Sequence, residues 1–120
     1  MKTVLVIEDE AIIAMELEAH LHEFGYQVVG PVSTYAEALR EAERTPPDLV
    51  LADIRISGGR SGLEAAAQIR ARHGSALVVL TAHADTASRD EARAHGVDAI
   101  LDKPFRRSTL EQTLTELVAP

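Results

Sequence analysis

Three carboxylates, a hydroxyl and an amine follow closely on short apolar runs: Glu8 and Asp9 after Val4 to Ile7, Asp53 after Leu49 to Ala52, Thr81 after Leu77 to Leu80, and Lys103 after Val97 to Leu101. Carboxylates brought together repel and raise one another's pKa unless a cation sits among them. A set of hard oxygen donors without His or Cys suits Mg²⁺, with Mn²⁺ the second choice, and waters completing an octahedron. An ion held in that way keeps positions open for phosphoryl oxygens. The Lys103 amine can neutralise one such oxygen and the Thr81 hydroxyl can hydrogen-bond another. A carboxylate in these surroundings can itself accept a phosphoryl group, with positioning and charge neutralisation carrying the catalysis.

That chemistry needs the five side chains in one place, and the order of elements supplies it. With Tyr26 to Val29 added, five apolar runs read as strands. Five segments of helical spacing alternate with them. The first puts Ile13, Leu17, Leu21 and Phe24 on one face and stops at Gly25; Gly74 and Gly96 stop the third and fourth. The second, third and fifth open on Thr34-Tyr35-Ala36-Glu37, Ser61-Gly62-Leu63-Glu64 and Ser108-Thr109-Leu110-Glu111, each matching the Ser/Thr-x-x-Glu capping box. The fourth is expected over roughly Asp85 to His95, with Ala87, Ala92 and Ala94 as its apolar contacts. Strict alternation with short connections predicts an α/β fold, a (βα)5 doubly wound parallel sheet of flavodoxin-like type. Runs one, three and four are nearly continuous and suit central strands, while runs two and five suit edges, which predicts the order 2-1-3-4-5. In such a sheet the C-terminal strand ends share one edge, where ligands bind. The five chemical residues therefore converge on one crevice.

At 120 residues the chain is read as one domain, residues 1–120, without repeats or linkers. Aromatic residues are only 3% of it, so Val, Leu, Ile and Ala must build the core. The absence of cysteine removes disulfides and thiol chemistry and fits a reducing compartment, which points to the cytoplasm. No run is long enough for a membrane span, and the N-terminus does not have the form of a signal peptide. A net charge of −7 argues against binding nucleic acid, since the only basic patch is Lys103 with Arg106-Arg107. His20 and His22 lie two apart on a helix and so face different ways, which excludes the usual helical metal pair, whereas His83 borders the crevice.

Glu8-Asp9, Asp53, Thr81-Ala82 and Lys103-Pro104-Phe105, with the spacings between them, closely resemble the receiver domains of bacterial two-component response regulators, over essentially the whole chain. The resemblance implies that Asp53 is the phosphoacceptor and that Glu8 and Asp9 hold the metal together with Asp53 and the backbone carbonyl of Arg55. It implies that Thr81 is the switch hydroxyl and that Lys103, before a cis Pro104, binds the acyl phosphate. The implied donor is a histidine kinase or histidine phosphotransfer protein, and the implied output is binding of a downstream protein through the face of helix four, strand five and helix five. A homodimer is left open. The implied role is signalling with slow self-dephosphorylation, and not that of an enzyme. Two departures stand out. The loop after Asp53 carries Ser57-Gly58-Gly59-Arg60 in place of the usual proline and resembles the variant of some stand-alone and kinase-attached receivers, and Ile100 replaces the usual aromatic switch residue.

Two other functions use related chemistry. A metal-dependent phosphohydrolase puts its nucleophilic Asp after strand one with a second Asp two residues on, where this chain has Glu8 and Glu10. A flavodoxin-like FMN carrier needs a Ser/Thr/Gly-rich phosphate loop there, which Glu8-Asp9-Glu10 would oppose.

Overall fold

A computed structural model describes residues 1–56, 61–82 and 85–120. Its elements run β1 (Thr3–Ile7), α1 (Ala11–Phe24), β2 (Gln27–Val32), α2 (Tyr35–Arg44), β3 (Leu49–Asp53), α3 (Gly62–His73), β4 (Ala76–Ala82), α4 (Thr86–Ala94), β5 (Ala99–Lys103) and α5 (Arg107–Leu117). The strands form one parallel sheet in the order β2-β1-β3-β4-β5, as the sequence predicts. β1 and β3 are buried at every position, as central strands covered on both faces must be.

Two apolar layers flank the sheet. On one side Leu5, Ile7, Val50, Leu77 and Val79 meet Leu63, Ala66 and Ile69 of α3 and Ala38 and Ala42 of α2. On the other, Val4, Val6, Leu49, Leu51, Val78 and Leu80 meet Leu17, Leu21 and Phe24 of α1 and Leu110 and Leu114 of α5. Leu117, the third leucine of the α5 stripe, is partly exposed.

Two of the three capping boxes form. Thr34 Oγ1 accepts from the Glu37 N–H at 3.2 Å, with the Glu37 carboxylate turned back to Ser33 and Thr34, and Ser61 Oγ accepts from the Glu64 N–H at 3.0 Å. The third does not: α5 starts one residue before Ser108, with Arg106 at the cap position and no side-chain cap bond. Gly25 ends α1 at φ 97°, a left-handed conformation that glycine adopts without Cβ strain.

The strand ends also differ from the sequence reading. β2 runs on through Gly30-Pro31, which a sequence reading treats as a break. β2 is an edge strand, where a residue without an N–H is tolerated, and a register shift opposite, between Leu5 and Ile7, absorbs the irregularity. β5 begins at Ala99 because Asp98 ties off the preceding turn, its Oδ2 accepting from the Leu77 N–H at 2.8 Å. As a result Asp53 and Lys103 are the last residues of their strands and Thr81 the penultimate one, rather than residues beyond the ends.

Candidate functional site

The register fixes where the chemical residues stand. Asp53 lies beside Leu80, Thr81 beside Asp102, and Ala82 beside Lys103, so β3, β4 and β5 deliver a carboxylate, a hydroxyl and an amine to one sheet edge. β1 delivers Glu8 there directly after its last residue, Ile7, with the Glu8 N–H bonded to the Val32 carbonyl at 2.9 Å.

At the centre is Lys103. Its amine crosses β4, donating to Asp53 Oδ2 at 2.6 Å and lying 3.2 Å from Glu8 Oε1. The other Asp53 oxygen, Oδ1, accepts from the Arg55 N–H at 3.1 Å. Both carboxylates are almost fully buried, yet Glu8 Oε1 has no partner in hydrogen-bonding geometry. Burial, followed by the hydrogen bond and negative charge of Asp53, pushes the Glu8 carboxyl up to about 7, against the opposing pull of Lys103. Burial works against the charge on Lys103, but the hydrogen bond and charge of Asp53, joined by Glu8, outweigh it and raise the amine's pKa. The Glu8 carboxyl therefore holds its proton up to near neutral pH, beside Asp53 and the Lys103 ammonium.

The carboxylate oxygens that gather within 4.8 Å of one another belong to Glu8, Glu10 and Asp53. Glu10 was not singled out from the sequence. It stands at the cap position of α1 but makes no side-chain cap bond, and its N–H donates to Glu8 Oε2 at 3.3 Å. Asp9, between them, is half-buried. The donor set fits a hard divalent cation: it offers only oxygen, carries excess negative charge and includes the unsatisfied Glu8 Oε1.

Thr81 is buried, and among the described residues its hydroxyl makes a 3.5 Å contact to the Ala82 carbonyl, a bond weak enough to exchange. The Lys103–Pro104 bond is cis, as the resemblance implies. A groove of about 250 Å³ beside the crevice is lined by Ile13, Glu16, Lys103, Pro104 and Phe105. Gly62 is a second residue that sequence reasoning did not mark as part of the site. Its N–H donates to the Ile54 carbonyl at 2.9 Å, and a Cβ there would overlap the Asp53 carbonyl oxygen, so only glycine lets α3 start so close to the acceptor strand. Ser57-Gly58-Gly59-Arg60 and His83 lie outside the described residues.

A family model for the response regulator receiver domain matches residues 4–115. The chain belongs to that family. The receiver is 40% identical over 109 residues to the transcriptional regulatory protein PdtaR of Mycobacterium tuberculosis, covering 91% of this chain and 53% of that protein. It is 32% identical over 117 residues to the phyllosphere-induced regulator PhyR of Methylorubrum extorquens, covering 94% of this chain and 42% of that one. The receiver spans about half the length of these curated relatives. Among solved structures it superposes at a TM-score of 0.90 on the signal receiver domain of a modulated diguanylate cyclase from Desulfovibrio desulfuricans, with 29% identity and 98% and 94% of the two chains covered. The receiver domain of a sensor histidine kinase from Pseudomonas aeruginosa, which has a magnesium ion coordinated in its active-site cleft, superposes at 0.86 with 31% identity over 99% and 98%. Membership implies a phosphoacceptor role in two-component signalling, and receiver domains interact with histidine kinases or phosphotransfer proteins.

Proposed function

We propose that this receiver, a single domain over residues 1–120, takes a phosphoryl group from a phosphohistidine onto Asp53 in the presence of Mg²⁺. The observation that carries the reading is the Lys103 amine set between Asp53 and Glu8 at the sheet edge. Glu8, Asp9, Asp53 and the Arg55 backbone carbonyl would hold the ion, and Glu10 joins the candidates because its carboxylate reaches the same cluster. When bound, Mg²⁺ supplies charge neutralisation to the carboxylates and to the phosphoryl oxygens.

The chain's own residues do the rest. Loss of the Glu8 proton restores its negative charge to the metal-binding cluster, and an Asp53 carboxylate oxygen acts as the nucleophile. That oxygen forms the new P–O bond as the P–N bond to the donor imidazole breaks, and the imidazole leaves with the electron pair and takes up a proton. Lys103, already on Asp53, follows the charge to a phosphoryl oxygen. Thr81 redirects its weakly held hydroxyl to another oxygen, and α4 shifts with it. The altered face of α4, β5 and α5 then binds a downstream protein. Slow hydrolysis of the acyl phosphate resets the switch, so the protein signals and does not turn over a substrate. A protein donor suits the apolar side chains of Ile12 and Met15, exposed on α1, the helix that lines the groove beside Lys103. The cysteine-free chain suits the cytoplasm.

Acetyl phosphate with Mg²⁺, followed by intact-mass measurement, tests the reading. One phosphoryl adduct is expected, absent when EDTA is added and absent in Asp53→Asn. Equal labelling of that variant would move the acceptor elsewhere.

A further inference from the structure

One side chain ties the crevice to α4. The Arg55 N–H is bonded to Asp53 Oδ1, while its guanidinium donates from Nε to Asp85 Oδ2 at 2.7 Å. Asp85 is the N-cap of α4: Oδ1 accepts from the Ser88 N–H at 3.1 Å and Oδ2 from the Ser88 hydroxyl at 2.6 Å. A single carboxylate therefore caps the helix and pairs with a residue two positions from Asp53. The Arg55 guanidinium, with help from the Ser88 hydrogen bonds, holds the Asp85 carboxyl well below the usual carboxylate range.

The tie is built to be exchanged. The Arg55 side chain is 72% exposed, against 16% for Asp85, so solvent screens the guanidinium end of the pair and immobilising a long side chain offsets part of its attraction. A guanidinium matches phosphoryl oxygens better than it matches a single carboxylate oxygen, because its fork can engage two of them. A phosphoryl group on Asp53 would place such oxygens next to Arg55's own backbone.

We propose that Arg55 is a latch: it rests on Asp85 while Asp53 is unmodified, and a phosphoryl group on Asp53 draws it away, freeing the N-terminus of α4. The latch rests on Asp53 being the acceptor. By linkage, whatever holds Arg55 on Asp85 also weakens the modified state by the same factor.

The test compares wild type with Asp85→Asn, each with Mg²⁺, in the absence and presence of beryllofluoride, which mimics an aspartyl phosphate. Asn keeps the capping oxygen but gives the guanidinium no charge. In wild type, beryllofluoride should speed amide exchange at Ser88 and Arg89 by about two- to fivefold, the range for releasing an exposed ion pair. In Asp85→Asn that increment should vanish, and beryllofluoride should bind tighter by a similar factor. ¹⁹F NMR of the bound ion reads binding independently of exchange. If wild type binds no beryllofluoride, the acceptor reading falls and the latch with it. If it binds while Ser88 and Arg89 exchange unchanged, or if Asp85→Asn shows the full wild-type increment, the latch alone is overturned.

Discussion

α3 and α4 both lie beside the strands that deliver the crevice, yet different forces hold them. α3 buries Leu63, Ala65, Ala66 and Ile69 in the apolar layer. α4 buries only Ser88 and Ala92, since Ala87 and Ala94 face solvent. What α4 lacks in burial it replaces with charge: Asp85 pairs with Arg55, Arg89 with Asp102 of β5, and Arg70 of α3 donates to the Gly96 carbonyl at 2.6 Å in the turn that follows. Burying one leucine is worth roughly 1.5–3 kcal/mol, whereas an ion pair with a solvent-exposed partner, as Arg55 is to Asp85, is worth about 1 kcal/mol or less. A helix held by the second kind of force can change partners cheaply, and one held by the first cannot. The fold thus keeps the acceptor strand and α3 fixed, with Gly62 seated against Asp53, and leaves α4 as the element that can respond.

Three perturbations sharpen the contrast. Leu63→Ala should cost about 2–5 kcal/mol in urea unfolding, because the neighbours of a fully buried side chain cannot close the cavity. A loss well below that range would mean that α3 is no better anchored than α4. Lys103→Ala should cost about 3 kcal/mol without metal, the low end for breaking a buried ion pair, because the Glu8 carboxyl can stay protonated. Mg²⁺ should restore part of this, and a variant as stable as wild type would make the amine a bystander in the resting state. Ala92→Gly should cost about 1 kcal/mol, since the largest apolar group α4 buries is a methyl. A much larger loss would show that apolar packing anchors α4 after all.

The same crevice gives the pH dependence a definite sign. The folded Glu8 pKa is raised from 4.5 to about 7, so the folded metal-free protein binds the extra proton. Its contribution to stability is fully present below 4.5 and is lost as pH rises through 7. Mg²⁺ affinity should run the other way, climbing by up to about tenfold per pH unit below 7, because a carboxylate must lose its proton to bind the ion. Calorimetric titration at several pH values checks this, and an affinity flat from pH 5 to pH 7 would contradict the raised carboxyl.

Much of the architecture was legible because the signals were local and redundant. Apolar runs marked the strands, and Thr34 and Ser61 announced their helices through bonds that the structure makes. Ser108 carried the same pattern without effect, since the chain leaving Lys103-Pro104 already turns into helix at Arg107. Strand ends moved where a partner decided them: Asp98 spends itself on the Leu77 N–H and delays β5, and β1 carries β2 through Gly30-Pro31. The crevice was legible because a parallel sheet sends every C-terminal strand end to one edge. The direction in which a side chain turns was not. Nothing in the sequence said that the Glu10 carboxylate reaches towards Asp53, that Gly62 lies against the Asp53 carbonyl, or that Arg55 spans to Asp85.

Borohydride trapping tests the central assignment most directly. An acyl phosphate on an aspartate is reduced to homoserine, whereas an unmodified carboxylate and a phosphoester are not. After treatment with acetyl phosphate and Mg²⁺ and then borohydride, peptide mass spectrometry should find homoserine at position 53 and aspartate retained at Asp9. Homoserine at position 9, or a stable phosphate on Thr81 with Asp53 intact, would contradict the account.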